Sequence, residues 1–265
     1  MLTRTSFAEH FSRRPVFGMV HLRPLPGSPG FVSLDEVVRA AVADARAIVA
    51  GGADGLVVEN FGDRPFTRGR VAAETVAAMT RVISEITREL TVPFGINVLR
   101  NDPLSALAIA AATGADFIRV NVHTGVMVTD QGIIEGDAYA TLRLRATLCP
   151  DVLIFGDHLV KHATPLADVD PVQAAKDLRL RGLADAIIVS GPETGVSADP
   201  LQLAALRAAL DVPLLLGSGL TSENATMFPD ADGAITGTAM KHDAHVDAPV
   251  EAARVAAIVS AFKLG

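Results

Sequence analysis

At 265 residues and 49% hydrophobic composition the chain has material for a large core, yet no run of roughly 18 apolar residues, so no bilayer-spanning helix is expected. A net charge of −7, no Trp and a single Tyr argue against a surface made for nucleic acid and leave room only for a local basic patch. One cysteine, Cys149, excludes an internal disulfide and a multi-cysteine metal site, and the polar start at Arg4, Glu9 and His10 excludes a secretory signal, so a cytoplasmic protein is expected.

Residues 1–14 read as a short amphipathic cover closing one end of the fold beside the C-terminal helix. Val16 to His21 form a first strand, and residues 23–30 are too rich in Pro and Gly to be helical. A helix over 35–50 follows, with Ser33 as its cap and Gly51-Gly52 as its stop. The second strand ends at Glu59-Asn60, residues 61–69 make a loop, and an alanine-rich helix runs to about Leu90. Strand three ends at Asn97, Asn101-Asp102-Pro103 opens the next helix, and strand four ends near Asn121. Residues 122–136 then interrupt the rhythm. A loop of this length in a compact domain is usually functional, here either a lid over a ligand or a contact with a neighbouring subunit. Strand five ends at Asp157-His158, a helix lies within 171–181, and strand six ends at Ser190 before a glycine-bounded loop over 191–195. Strand seven ends at Gly217-Ser218-Gly219, with Thr221 or Ser222 capping a short helix. Strand eight ends at Thr236-Gly237-Thr238, and residues 250–262 supply the last helix.

These strands fall into two alternating sets. Gly52-Ala53-Asp54 precedes Leu56-Val57-Val58, Gly114-Ala115-Asp116 precedes Phe117-Ile118-Arg119-Val120, and the relics Ala184-Asp185 and Ala231-Asp232 precede Ile187-Ile188-Val189 and Ala234-Ile235. The intervening set is headed by Val or Pro, as in Pro15-Val16-Phe17-Gly18 and Val212-Pro213-Leu214. A unit of two strands and two helices repeated four times predicts an α/β fold, a single (β/α)8 barrel of the TIM type over residues 1–265.

Active sites of such barrels gather at the carboxyl ends of the strands. Reading only those ends collects a polar ring, which solubility alone does not require. Glu59, Asp157, Lys161 and His123 are the candidate catalytic groups. His21, Asn60, Asn97, Arg119, Asn121 and Ser190 are candidates for substrate binding. Lys161 is a base, an imine-forming amine or an anion clamp, or else lies with His162 on a solvated loop. Glu59 transfers protons or binds metal, or pairs with Arg119 inside the barrel. His21 is either a substrate contact or a satisfied rim histidine, and Cys149 sits at the wrong end for catalysis. Glu59 with Asp157 offers hard oxygen ligands for Mg2+, without a local ligand spacing to support it. The loops after strands seven and eight of such barrels often bind phosphate through backbone N–H groups and a helix N-terminus. Gly217, Ser218, Gly219, Gly237 and Thr238 occupy those loops here, with Lys241 adding charge; the alternative is that the glycines only make tight turns. On these readings Asp157→Asn and Lys161→Ala remove turnover and leave the melting temperature almost unchanged.

Longer stretches carry a resemblance. Gly18-Met19-Val20-His21-Leu22 with Pro24-Leu25-Pro26-Gly27, Val58-Glu59-Asn60-Phe61-Gly62-Asp63, Asn97-Val98-Leu99-Arg100-Asn101-Asp102, residues 117–125, residues 129–136, Lys161-His162-Ala163 and Gly217-Ser218-Gly219 resemble the BtpA family over nearly the whole chain. That family is named for a photosystem I biogenesis protein and is similar to phosphate-binding barrels of the ribulose-phosphate group. In the family, strand five reads Asp, any residue, His, then Lys-His; here His158 follows Asp157 directly, so a role of the family histidine does not transfer to His158. A nucleoside triphosphatase label sometimes attached to members finds no Gly-Lys-Ser/Thr loop here. The rim crowded with Glu, Asp, Lys, His and Asn, on a barrel similar to phosphate-binding ones, leads us to expect an enzyme acting on a small phosphorylated sugar or nucleoside-like compound by proton-transfer, lyase or isomerase chemistry. A homo-oligomer is expected, as barrels of this group are often dimers. The alternative is a non-catalytic biogenesis or assembly factor that uses the barrel as an interaction scaffold.

Overall fold

Strands that read as near-continuous apolar runs are those covered on both faces. In the computed structural model, which describes residues 2–264, eight of them close into a parallel barrel. In chain order the barrel strands are β1 (Val16–His21), β2 (Gly55–Glu59), β3 (Phe94–Asn97), β4 (Phe117–Val120), β7 (Leu153–His158), β9 (Ala186–Val189), β10 (Leu214–Leu216) and β11 (Gly233–Thr236), each paired with the next and β11 with β1. Three further strands, β5 (Val126–Thr129), β6 (Gly132–Glu135) and β8 (Ala163–Pro165), form a separate antiparallel sheet outside the barrel.

The four aspartates of the repeat explain how the strands are set in pairs. Asp54 accepts a hydrogen bond from Val16 N at 2.9 Å, Asp116 from Phe94 N at 2.8 Å, Asp185 from Ile154 N at 3.0 Å and Asp232 from Leu214 N at 2.9 Å. Each aspartate's own N–H returns a bond to the carbonyl of the same partner residue. One carboxylate before every second strand thus satisfies the first free N–H of its neighbour and fixes their stagger.

The register that follows puts His21 opposite Glu59, Glu59 opposite Asn97 and Asn97 opposite Arg119, one tier across four adjacent strands at the carboxyl end. The opposite end is apolar. Helix α1 (Arg4–Phe11) lies across it and inserts Phe7 and Phe11 among Phe17, Phe117 and Phe155, with the last two rings stacked at 4.2 Å. Gly95 leaves the space that the Phe117 ring fills. Arg14 lies over Phe262 of the last helix, 4.2 Å from the ring centre.

Outside the barrel, α2 (Leu34–Ala50), α3 (Ala73–Glu89), α4 (Pro103–Thr113), α5 (Ala138–Leu148), α6 (Pro171–Lys176), α7 (Pro200–Ala209) and α8 (Ala252–Leu264) make the outer layer. Asp102, Asp170 and Asp199 cap helices that begin with Pro, the arrangement in which no needed N–H is lost. Helix α6 continues to Arg181 as a π-helical segment. Among the described residues no helix is long and apolar enough to cross a membrane.

Three local expectations are corrected. Ser33 precedes α2, but its side chain makes no capping bond. No α-helix follows β10: Thr221 Oγ1 accepts from the N–H groups of Glu223 and Asn224 in a tight turn, and only a 3-10 turn, Ala225–Met227, comes after it. The stretch 122–136 is ordered as the β5–β6 hairpin, with β8 as a third strand; Met127, Ile134, Val122 and Val160 bury a small core of their own beneath it.

Candidate functional site

The polar tier opens into a cavity of about 780 Å³ at the carboxyl end of the barrel. His21, Glu59, Arg119, Asn121, Lys161, Gly217, Ser218, Gly219, Gly237 and Thr238 all line it, as do Asp130 and Gln131 at the hairpin tip. The hairpin therefore forms part of the wall.

Arg119 and Asp157 make the strongest electrostatic feature. The guanidinium gives Nε to Oδ1 at 2.9 Å and Nη2 to Oδ2 at 3.0 Å, and Asn121 Nδ2 adds a bond to Oδ2 at 2.8 Å. Burial works against the charge on Arg119, and Asp157 overrides it, so the guanidinium is held above its ordinary basicity. Asp157 is buried, has both oxygens occupied and does not line the main cavity. It is therefore not placed as a proton acceptor toward a ligand there, and a pair with Glu59 does not present two open oxygens to a cation. No group of three or more His, Cys, Asp or Glu side chains suited to a metal occurs among the described residues. The expectation that Asp157→Asn spares stability is corrected by the same ion pair, since that change leaves Arg119 buried without its counter-charge.

Glu59 and Lys161 are different, because neither is neutralised by a bonded partner of opposite charge. Burial raises the Glu59 carboxyl, with Arg119 acting in the other direction. Burial, reinforced by Arg119, lowers Lys161 from 10.5 to about 8. His21 Nε2 lies 3.8 Å from Glu59 Oε1, and burial, with Lys241 and Lys161 nearby, holds its imidazole well below the usual range, so it is neutral beside Glu59. Its Nδ1 is buried without a hydrogen-bond partner among the described residues, and its ring lies against Phe61 at 4.6 Å.

The other candidates lie behind the wall. Asn97 donates to Arg119 O and Asn121 Oδ1, holding that side of the tier. Asn60 accepts from Leu99 N and donates to Asp63, bracing the loops after β2 and β3. His123 donates Nε2–H to Gly182 O at 2.8 Å and is buried away from the main cavity, so it is not placed to meet a ligand there. His158 donates likewise to Pro171 O. Ser190 faces a second, smaller cavity of about 390 Å³ that shares Lys161 with the first.

At the β10 and β11 loops the glycines have neighbours that account for them. A Cβ on Gly219, at φ +69°, would meet the backbone of Val196 and Ser197, and one on Gly237 would lie 2.8 Å from His21 Cε1. The N–H groups of Ser218, Gly219 and Thr238 nonetheless find no acceptor in the described residues, and all three residues line the cavity. Only 3-10 turns follow these strands before α8, so no helix N-terminus adds its dipole. Lys241 is corrected too: its Nζ donates to Ala248 O and faces Asp44 at 3.7 Å, outside the cavity wall.

Arg100, in the loop after β3, is a lining residue not read as a site residue from sequence. The strand-end reading stopped at Asn97, three residues short. A wider window over each loop is the signal that finds it.

The BtpA family model matches residues 12–264. A relative from Synechocystis, the photosystem I biogenesis protein BtpA, is 45% identical over 258 residues, covering 96% of this chain and 90% of its own. Among solved structures, thiamine phosphate pyrophosphorylase from Pyrococcus furiosus superposes with a TM-score of 0.60 at 11% identity, covering 94% of this chain and 96% of that one. (S)-3-O-geranylgeranylglyceryl phosphate synthase from Thermoplasma acidophilum, in complex with sn-glycerol-1-phosphate, gives a TM-score of 0.59 at 15% identity over 100% of both chains. At such identities these two likenesses speak to the fold alone.

Proposed function

The chain belongs to the BtpA family, and on that premise we propose that it is an enzyme acting on a small phosphorylated sugar or nucleoside-like compound by proton transfer, in a lyase or isomerase reaction. The observation that carries the reading is the presence of two ionisable groups with displaced proton affinities, Glu59 and Lys161, in the same cavity as the unpaired N–H groups of Ser218, Gly219 and Thr238. A phosphate is an acceptor of three oxygens, which those N–H groups and the Thr238 hydroxyl suit.

Lys161, at about 8, keeps roughly a tenth of its amine free at neutral pH, enough to take a proton or attack a carbonyl while still able to return one. Glu59, raised by burial, is the complementary acid or base on the wall of the same cavity. Arg119, fixed by the Asp157 carboxylate that Asn121 also bonds, offers its remaining N–H groups on the cavity wall to a developing oxyanion. Solved barrels of similar fold include enzymes whose names carry a phosphorylated compound, which agrees with this use of the fold without assigning a substrate.

The test is solvent exchange. Wild-type protein incubated in D2O with phosphorylated aldoses and ketoses of three to six carbons is expected to exchange a carbon-bound proton of at least one of them, with Glu59→Gln and Lys161→Met inactive. No exchange across the panel, or exchange that survives both substitutions, counts against the reading.

A second reading, a non-catalytic biogenesis or assembly factor, is favoured by the 45% identity to a relative named as a photosystem I biogenesis protein. The charged, buried lining weighs the other way, because cores of protein interfaces are depleted of charge.

A further inference from the structure

We infer that the cavity has a second anion subsite, centred on Arg100, so that the ligand is anionic at both ends: a phosphate at one, and a carboxylate or second phosphate at the other. This rests on the reading that the β10 and β11 loops take the first phosphate.

Position supplies the first argument. Around the closed barrel β3 lies four strands from β10 in either direction, so the loop carrying Arg100 faces the loops carrying Ser218 and Gly219 across the mouth. Charge supplies the second. Arg119 is cancelled by Asp157 and Lys241 faces Asp44, whereas neither Arg100 nor Lys161 has a carboxylate within ion-pair distance among the described residues. Arg100 is only 6% exposed, and among the described residues its guanidinium makes one hydrogen bond, from Nη2 to Lys161 O at 2.6 Å, leaving the rest of the fork open on a cavity it lines. A cation brought this far out of water without a paired anion is held at a cost in solvation, and a ligand anion is what recovers it. Asp157, Glu59 and Asp130 act on Arg100 through space only, against burial and the Arg119 charge.

Chemistry supplies the third. A planar guanidinium matches a carboxylate or phosphate with two parallel N–H bonds. Room is available, since a cavity of about 780 Å³ sits in the range of roughly 300–1,000 Å³ usual for small-molecule sites.

Calorimetry with three probes tests this: pentyl phosphate, 1,5-pentanediol bisphosphate, and the phosphate ester of 5-hydroxypentanoate. Wild-type protein is expected to bind at least one two-ended probe roughly tenfold or more tighter than pentyl phosphate, the value of one charge-assisted contact. Comparing the two two-ended probes separates carboxylate from phosphate. Arg100→Gln is expected to abolish the gain while leaving pentyl phosphate affinity as it was, and Arg100→Lys, which keeps the charge, to retain part of it. Equal affinity for all three probes, or a gain that survives Arg100→Gln, overturns the second subsite. Thr238→Val reports on the first phosphate alone: if it leaves pentyl phosphate binding intact while the Arg100-dependent gain persists, the loop assignment fails and the Arg100 subsite stands. Absence of binding by every probe overturns both.

Discussion

Two charges at the rim, Asp157 buried and Lys161 partly buried, are held in opposite ways. Asp157 is fully bonded by Arg119 and Asn121, so it acts as a brace. Lys161 has burial and Arg119 working against its charge, so it is a cost to the fold. Its folded value of about 8 lies below the ordinary 10.5, so between those values the unfolded chain binds more protons and stability rises with pH. Below that window the strain on the charge is present in full, up to about 3 kcal/mol. Lys161→Met is therefore expected to raise the melting temperature at pH 7, with the advantage fading from pH ~8 and gone above pH ~10.5, while Asp157→Asn lowers it by an amount equivalent to about 3–5 kcal/mol. Thermal unfolding across pH checks both. A Lys161→Met protein that melts lower than wild type at pH 7 contradicts the account of Lys161.

At the scale of elements, α1 is a plug and the hairpin is a wall. Phe11 packs edge-on against Phe17, Phe117 and Phe155, so Phe11→Ala removes the centre of an aromatic cluster with little able to collapse into the space. A loss of about 3–5 kcal/mol in urea unfolding is expected; a change below ~1 kcal/mol shows that α1 is dispensable. The barrel strands and most helices were legible because their signals are local: apolar runs, the Asp102-Pro103 start and the repeated aspartate; α5 and α7 went unread. What the repeat does was not legible, because the bond from Asp116 to Phe94 N joins residues 22 positions apart. The hairpin was missed as a hairpin because Val126–Thr129 and Gly132–Glu135 are short and owe their order to the small core with Val122 and Val160 and to pairing with Ala163–Pro165. The helix expected after β10 failed for the converse reason: Thr221 and Ser222 have cap-forming side chains, but nothing downstream continues the turn beyond Met227.

The whole molecule is divided along the barrel axis. One end is dry and aromatic, and the other collects Glu59, Arg100, Arg119 and Lys161 around one cavity. Strand order alone located that end, since His21, Glu59, Asn97 and Arg119 fall on one tier by register. It did not tell lining from bracing. Asn97, Asn60, His123 and Asp157 sit at strand ends like the others and point their polar atoms into the scaffold, a distinction set by partners up to 59 positions away. Strand-end position therefore identifies the rim, and hydrogen-bond partners identify the site.

The central claim is that this rim binds phosphate at the β10 and β11 loops. A thermal-shift comparison of phosphorylated sugars with their unphosphorylated counterparts, on wild-type protein and Thr238→Val, tests it most directly. The account predicts stabilisation by at least one phosphorylated compound, about 2.7 kcal/mol at 100 times its dissociation constant, absent for the unphosphorylated partner and weakened by Thr238→Val. Equal stabilisation by both members of a pair, or none by any phosphorylated compound, contradicts it.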